Sequence, residues 1–266
     1  MRIWHQSMTD LASLPTYQSS LEDHAAQVCE PETVVHIKGM PNFYTGGITT
    51  TDVLGSPYLY HVAFRRIIDQ AIESERQEYD AFVVGSFSEP FLRELRSTVD
   101  IPVVSAGESN FLVACSLGKL QALIANVPTV ARLVQDHVTG YGLSERVQGV
   151  YALASTMTED ELQAQWTSPE SVIARFDAIA EEAIRAGADV VIPAEGVLSE
   201  LLYQQGHQRL LNVPILDSFG VCWKYAEMFV QLRQKLGVEV GRAWEYRRSS
   251  AEKLATFGEI IGRLDG

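Results

Sequence analysis

Two stretches of the chain are alike, and the repeat that they form restricts the fold more than any other feature. Residues 80–86 (DAFVVGS) and 189–195 (DVVIPAE) each begin with an aspartate, continue as an apolar run and end in a polar residue. Each is followed by a second short apolar run that contains a proline, at 101–105 and 213–217. The copies are 189 − 80 = 109 residues apart at the aspartates and 214 − 102 = 112 apart at the prolines. This spacing predicts two copies of one α/β unit.

The repeat gives two positions special weight. Ser86 and Glu195 are the final residues of the paired apolar runs, so they are equivalent positions in the two halves. In parallel α/β sheets, ligands bind beyond the carboxyl ends of the strands. We therefore expect both side chains to lie at a ligand site.

The rest of the chain alternates between short apolar runs and longer periodic stretches. The apolar runs lack strict alternation, which is typical of strands buried on both faces of a parallel sheet. The predicted strands are Arg2–Ser7, Val34–Gly39, Ala81–Ser86, Pro102–Gly107, Leu120–Asn126, Val147–Ala152, Val190–Glu195 and Val213–Ser218. Helical periodicity is found at Tyr60–Tyr79, Glu170–Ala186 and Trp223–Leu236. This order predicts an α/β fold with doubly wound parallel sheets.

Composition argues against several classes of function. The 266 residues carry a formal net charge of −13, which disfavours nucleic acid as a partner. The apolar runs are shorter than the ~18 residues that a membrane-spanning helix needs. The chain starts in a strand-like run without a signal-peptide pattern, and its three cysteines have no metal or disulfide spacing. We expect a cytoplasmic protein that binds a small molecule and neither nucleic acid nor a membrane.

The order and spacing of four segments resemble the aspartate/glutamate/hydantoin racemase superfamily. These segments are Val84–Pro90, Ile101–Glu108, Gly187–Ile192 and Val213–Asp217. The resemblance implies two similar α/β domains related by a pseudo-twofold axis, with the active site in the cleft between them. It also implies cofactor-free proton transfer next to a carbonyl, and a homo-oligomer. We expect residues 1–116 and 220–266 to form the first domain and residues 117–219 the second.

The chain departs from this family at both catalytic thiols. The family uses two cysteines on opposite faces of the substrate, and their positions align with Ser86 and Glu195 here. A serine hydroxyl is a poor proton acceptor near neutral pH unless another group activates it. A glutamate acts as acid or base, especially where burial raises its pKa. We expect Glu195 and Ser86 to be catalytic residues of unequal strength, which favours one-directional chemistry such as hydrolysis, elimination or decarboxylation.

Ten further residues lie beside the predicted strand ends and are candidate substrate contacts. They are His5, Gln6, Phe87, Ser88, Glu108, Ser109, Asn126, Gly196, Val197 and Ser218. Helix starts predicted at residues 88–90 and 108–110 would offer backbone N–H groups to an anion. His5 is a candidate second acid/base group, because the pKa of histidine lies near ~6.5. No His/Asp/Glu set has metal-ligand spacing and no phosphate loop is present, so we expect no metal and no cofactor.

Three functional hypotheses remain open. The first is a one-directional enzyme that acts on a small carboxylate, an amino-acid derivative or a hydantoin-like cyclic amide through Glu195. The second is a racemase or epimerase that uses Glu195 and either His5 or Ser86 as its two bases. The third is a non-catalytic homologue that binds a small molecule. The long segment Pro41–Pro57 is either a lid over the site or a mobile loop.

Overall fold

The computed structural model describes residues 1–41, 48, 50–154, 164–166, 168–250, 252–254, 256–257 and 260. Residues 42–47 and 49 of the candidate lid Pro41–Pro57 lie outside these residues. Within the described ranges, no helix is long and apolar enough to cross a membrane.

Two parallel sheets form the framework. The first has the strand order β2-β1-β3-β4, and the second has the order β6-β5-β7. A parallel bridge between Val191 and Ile215 extends the second sheet beyond β7, so the two sheets follow the same order. The strands are β1 (Arg2–Ser7), β2 (Val34–Lys38), β3 (Ala81–Gly85), β4 (Val103–Ser105), β5 (Gln121–Ala125), β6 (Val147–Ala152), β7 (Val190–Pro193), and the antiparallel pair β8 (Arg209–Leu210) and β9 (Val213–Pro214).

Helices cover the faces of both sheets. They are α1 (Pro15–Val28), α2 (Thr50–Gly55), α3 (Pro57–Phe64), α4 (Ile67–Arg76), α5 (Leu92–Thr98), α6 (Ala106–Leu117), α7 (Pro128–Gly140), α8 (Glu170–Arg185), α9 (Gly196–Gln204) and α10 (Ser218–Leu236). Helix α10 returns to pack on β3, β4 and α6 of the first sheet. We call β1–β4, α1–α6 and α10 the first half, and β5–β9 with α7–α9 the second half.

The hydrophobic core has a shared centre and two outer layers. The centre joins both sheets, with Val83 from β3, Leu123 from β5 and Trp223 from α10 among its members. Phe82 lies in the outer layer beneath α4 and α5. Ile124 lies in the outer layer beneath α8. Neighbouring residues of one strand therefore enter different layers, which explains why the strand sequences are apolar on both faces.

Matching hydrogen bonds support the repeat predicted from the sequence. The Asp80 carboxylate accepts a bond from the backbone N–H of Arg2 at 2.7 Å, just before β3. The Asp189 carboxylate accepts from Lys119 and Leu120 at 2.9 and 3.2 Å, just before β7. Each aspartate thus ties the start of the third strand of its half to the start of the first strand.

Several predicted element ends were wrong, because polar side chains cap helices earlier than expected. Ser105 caps α6 and Asp217 caps α10, so strands predicted to continue to Gly107 and Ser218 end before those residues. The periodic stretch Tyr60–Tyr79 contains the end of α3 and the whole of α4, which are separate helices. A helix start expected at residues 88–90 lies instead at Leu92.

Candidate functional site

A carboxylate and an amide meet at the carboxyl edge of the second sheet. Strands β5 and β7 are parallel neighbours with Ile124 beside Pro193, so the residues that follow them emerge together. Asn126 Nδ2 donates to Glu195 Oε2 at 2.8 Å. The Glu195 carboxylate also caps α9, accepting from the N–H groups of Val197 at 3.1 Å and Leu198 at 2.8 Å. This partly exposed carboxylate is held at the positive end of a helix.

The oxygen of the Asn126 amide accepts no hydrogen bond within the described part of the chain. Asn126 is 4% exposed, and its Oδ1 has no hydrogen-bond partner among the described residues. An unsatisfied buried acceptor costs about 1–3 kcal/mol. A ligand that places an N–H group beside Glu195 would satisfy this oxygen.

Tyr17 is a neighbour of Glu195 that sequence reasoning missed. Its hydroxyl lies 3.0 Å from the point that a Cβ atom on Gly196 would occupy, and its side chain is buried. Burial and the negative charges of Glu195 and Glu200 raise the pKa of Tyr17 well above its usual value. The phenol therefore stays protonated and has a proton to donate to a hydrogen bond. Its position on the apolar face of a helix gave no signal that distinguishes it from an ordinary core tyrosine.

Ser86 is the first residue after β3, at the edge of the first sheet, and begins a loop rather than a helix. Its hydroxyl lies 2.9 Å from Ser88 Oγ and accepts from the Ser88 backbone N–H at 3.2 Å. The next residue, Phe87, is buried against Phe111. The described residues place no histidine or carboxylate in hydrogen-bond contact with the Ser86 hydroxyl.

His5 lies in the core. Its side chain is fully buried between Phe219 and Trp223, and its Nδ1 accepts from Trp223 Nε1 at 3.0 Å. Desolvation, together with the charge of His24, lowers the pKa of His5 to about 3. The neutral, enclosed ring does not support a role as the second acid/base group. It instead explains Gly85, since a Cβ atom there would lie 2.2 Å from His5 Nε2.

The remaining predicted contacts hold the framework together. Gln6 is buried and donates to the carbonyl groups of Lys38 and Gly39. Glu108 forms a salt bridge with Arg96. Ser109, Val197 and Ser218 are buried, and Ser218 donates to the Pro193 carbonyl at 2.9 Å. Of the predicted residues, the structure brings together Glu195, Asn126 and Gly196 at one sheet edge, and Ser86 and Ser88 at the other.

No cysteine compensates for the two absent thiols. Cys29 and Cys222 are buried, and desolvation raises the pKa of each thiol to about 12. Cys115 lies on α6 and accepts a long hydrogen bond from Gln121. In the described parts of the chain, no group of His, Cys, Asp and Glu side chains has an arrangement that could hold a metal ion.

Comparison with known proteins identifies the family. Residues 15–226 match the sequence model described as Asp/Glu/Hydantoin racemase. The chain belongs to this family. A hydantoin racemase of Pseudomonas sp. (strain NS671) is 24% identical over 204 residues, which cover 76% of this chain and 79% of that protein. The predicted membership of the racemase superfamily is thus confirmed, and the protein is an enzyme of that superfamily.

Solved structures of family members share the fold. Allantoin racemase from Klebsiella pneumoniae superposes with a TM-score of 0.74 at 17% identity, covering 94% of each chain. Arylmalonate decarboxylase superposes with a TM-score of 0.54 at 13% identity, covering 92% of this chain and 97% of that one. These similarities confirm the predicted fold of two similar α/β domains with parallel sheets.

Proposed function

We propose that the protein catalyses a cofactor-independent acid/base reaction at or next to the carbonyl of a hydantoin-like cyclic amide, with Glu195 as the group that transfers the proton. A small carboxylate or an amino-acid derivative is the second class of substrate. The observation that carries the proposal is the pairing of Glu195 with Asn126. A carboxylate fixed by three N–H donors stands beside a buried amide oxygen that needs a donor.

A cyclic amide fits this pair chemically. Its ring N–H would donate to Asn126 Oδ1, which would place the adjacent carbonyl and its neighbouring carbon beside Glu195. Tyr17, kept protonated by its surroundings, would donate to the negative charge that develops on the carbonyl oxygen. Donors aimed at such a charge typically contribute ~10²–10³-fold to a rate.

The two strand ends are chemically unequal, and this inequality favours a one-directional reaction. Racemisation needs a competent acid/base group on each face of the substrate, whereas the Ser86 hydroxyl makes hydrogen bonds only with Ser88 among the described residues. We assign Ser86 the role of orienting or polarising the substrate. Hydrolysis, elimination and decarboxylation each need only one such group. Arylmalonate decarboxylase has a similar fold, which supports decarboxylation as one of these reactions.

Racemisation or epimerisation is the second candidate. It is favoured by the relatives that are named hydantoin racemase and allantoin racemase. This reaction would use Glu195 on one face and an activated Ser86 on the other, because His5 is enclosed in the core.

The test is incubation of the purified protein in heavy water with enantiopure hydantoins, allantoin and an arylmalonate. Products are followed by mass spectrometry and chiral chromatography. A product of changed mass supports the one-directional reaction, while both enantiomers carrying one deuterium support racemisation. Glu195→Gln keeps an acceptor for the α9 N–H groups and removes the acid/base group, so its turnover should fall by ~10²–10⁴-fold. Turnover like that of the unchanged protein and of the exposed control Glu182→Gln would overturn the role of Glu195.

A further inference from the structure

Two clusters, each built on a histidine and a buried glutamate, connect the halves. In the first, His24 of α1 lies 2.6 Å from Glu200 of α9 and 2.8 Å from Asp217. In the second, His137 of α7 lies 3.4 Å from Glu89, which follows β3. Each pair joins a helix of one half to a glutamate of the other.

The clusters are copies of each other within the repeat. His24 and His137 are 137 − 24 = 113 residues apart, and Glu89 and Glu200 are 200 − 89 = 111 apart. These offsets match those of the strands. In each half the histidine lies on the helix that follows the first strand, and the glutamate lies on the segment that follows the third strand. The pairs are therefore reciprocal, with each half supplying the histidine for the other half's glutamate.

Each glutamate lies on the segment that carries a candidate catalytic residue. Glu89 is three residues after Ser86, and Glu200 is five residues after Glu195 on the helix that Glu195 caps. His137 Nδ1 also lies 3.2 Å from the Phe87 carbonyl oxygen, within the Ser86 segment. A histidine of the opposite half thus holds each segment.

Additional polar contacts fix both glutamates. Glu89 accepts from Ser105 Oγ, from the Glu108 N–H at 2.7 Å and from the Tyr141 hydroxyl at 2.7 Å. Glu89 has a left-handed φ of 47°, which a non-glycine residue adopts only when its surroundings impose it. These contacts supply that constraint.

The Glu200 cluster is the more enclosed of the two. Glu200 accepts from Ser20 Oγ and from Gln204 Nε2 at 3.1 Å. Tyr203 stacks on the His24 ring with 3.4 Å between the ring centroids. His24 and Glu200 side chains are fully buried, whereas His137 is 26% exposed.

We propose that His24 and His137 are reciprocal positioning residues, each holding in place the catalytic segment that the other half carries. His24 positions the Glu195 segment through Glu200, and His137 positions the Ser86 segment through Glu89 and the Phe87 carbonyl. The importance of the two segments for catalysis rests on the proposed function, while the physical ties do not.

Hydrogen exchange measured by mass spectrometry tests the ties without any need for turnover. The Ser88 and Glu89 amides report on the first segment, since they bond to Ser86. The Val197, Leu198 and Ser199 amides report on the second, since they bond to Glu195. His137→Asn should speed exchange by about tenfold in peptide 84–91 and leave peptide 194–200 unchanged, and His24→Asn should do the reverse.

His207→Asn is the matched control. His207 lies 2.6 Å from Asp177, and both residues belong to the second half. This variant should leave both peptides as they are. The proposal would be overturned if His24→Asn sped exchange only in peptide 84–91 and His137→Asn only in peptide 194–200. Equal increases in both peptides would overturn it as well. If His24→Asn fails to fold, Glu200→Gln keeps the shape of the side chain and should give the same selective increase in peptide 194–200.

Once a substrate is known, the positioning role predicts a lower kcat with little change in KM for His24→Asn, and the control should change neither. A normal kcat combined with the selective exchange pattern would show that the ties exist but do not serve catalysis. That outcome would overturn the positioning role of His24 in catalysis, while the role of Glu195 is tested separately by Glu195→Gln.

Discussion

The two strand-end segments show that equivalent positions of one repeat carry different side chains in different local structures. After β7, Glu195 caps α9 with its own carboxylate, so the chain passes directly into a helix. After β3, the chain forms a loop in which Glu89 and Phe91 both have left-handed φ, and the helix begins only at Leu92. The second segment presents a carboxylate on a rigid helix end, while the first presents a hydroxyl on a loop that buried contacts hold. The shared framework of the repeat therefore holds a carboxylate at one strand end and a hydroxyl at the other.

The largest difference between the segments should appear in catalysis. Glu195→Gln should lower kcat by ~10²–10⁴-fold, because it removes an acid/base group. Ser86→Ala should lower kcat by ~10-fold or less, since that hydroxyl only orients or polarises the substrate. Steady-state rates on the substrate found by the heavy-water screen measure both variants. Losses of equal size would remove the asymmetry and favour racemisation.

The last small residue before each segment gives the next test. Gly85 of the first half corresponds to Ala194 of the second, and only Gly85 faces a histidine ring. Gly85→Ala should destabilise the protein by up to ~3 kcal/mol through its overlap with His5. Ala194→Gly should cost about 0.5–1 kcal/mol. Urea unfolding monitored by fluorescence measures both. Gly140→Ala, with no atom within 4 Å of the added methyl group, is the control.

The cluster around His24 should make the stability of the protein depend on pH. Bonds to Asp217 and Glu200 outweigh desolvation and raise the pKa of His24 to about 9. The folded-state pKa exceeds the unfolded value of ~6.5, so this contribution to stability is complete below pH 6.5 and is lost as the pH rises through 9. The free energy of unfolding should fall by on the order of 2 kcal/mol over that range. His24→Gln should flatten the curve, and an unchanged slope would contradict the charged state of His24.

A smaller effect is expected at the amide beside Glu195. Asn126→Ala removes the acceptor proposed for a substrate N–H, and it should raise KM by about tenfold, which corresponds to ~1.4 kcal/mol. A substrate analogue methylated at that nitrogen should show the same rise in KM with the unchanged protein. With the Asn126→Ala variant, methylation should raise KM no further. If methylation raised KM equally in both proteins, the substrate N–H would not be bonded to Asn126.

The smallest effects should be nearly equal in the two halves. Asp80 and Asp189 make equivalent bonds to the start of a first strand. Asp80→Asn and Asp189→Asn should each cost about 0.5–1.5 kcal/mol. Thermal unfolding of the two variants measures this, and a clear inequality would show that the copies have diverged in their framework as well as in their chemistry.

The sequence predicted the repeat because it depends on local patterns. The paired aspartates, the apolar runs and the constant offset all follow from short segments, and the two sheets reproduce them. The ends of strands were predicted less well, since Ser105 and Asp217 act as caps only when the following residues turn into a helix.

The contacts between the halves could not be predicted. His24 and Glu200 are separated by 176 residues, and nothing local to either one indicates that they meet. The surroundings of Tyr17 and His5 were also not predictable from the residues next to them in sequence. Tyr17 resembles a core residue and lies beside Glu195, while His5 follows the pattern of a site residue and is enclosed by aromatic rings.

The unequal chemistry of Glu195 and Ser86 is tested most directly by a single experiment in heavy water. An enantiopure hydantoin that the protein turns over is incubated with the unchanged protein and with Glu195→Gln, and the substrate and product pools are analysed by mass and by chirality. We expect a product of changed mass, no accumulation of the opposite enantiomer and loss of turnover in the variant. Deuterated substrate of both configurations, formed at the same rate by the variant, would contradict this expectation.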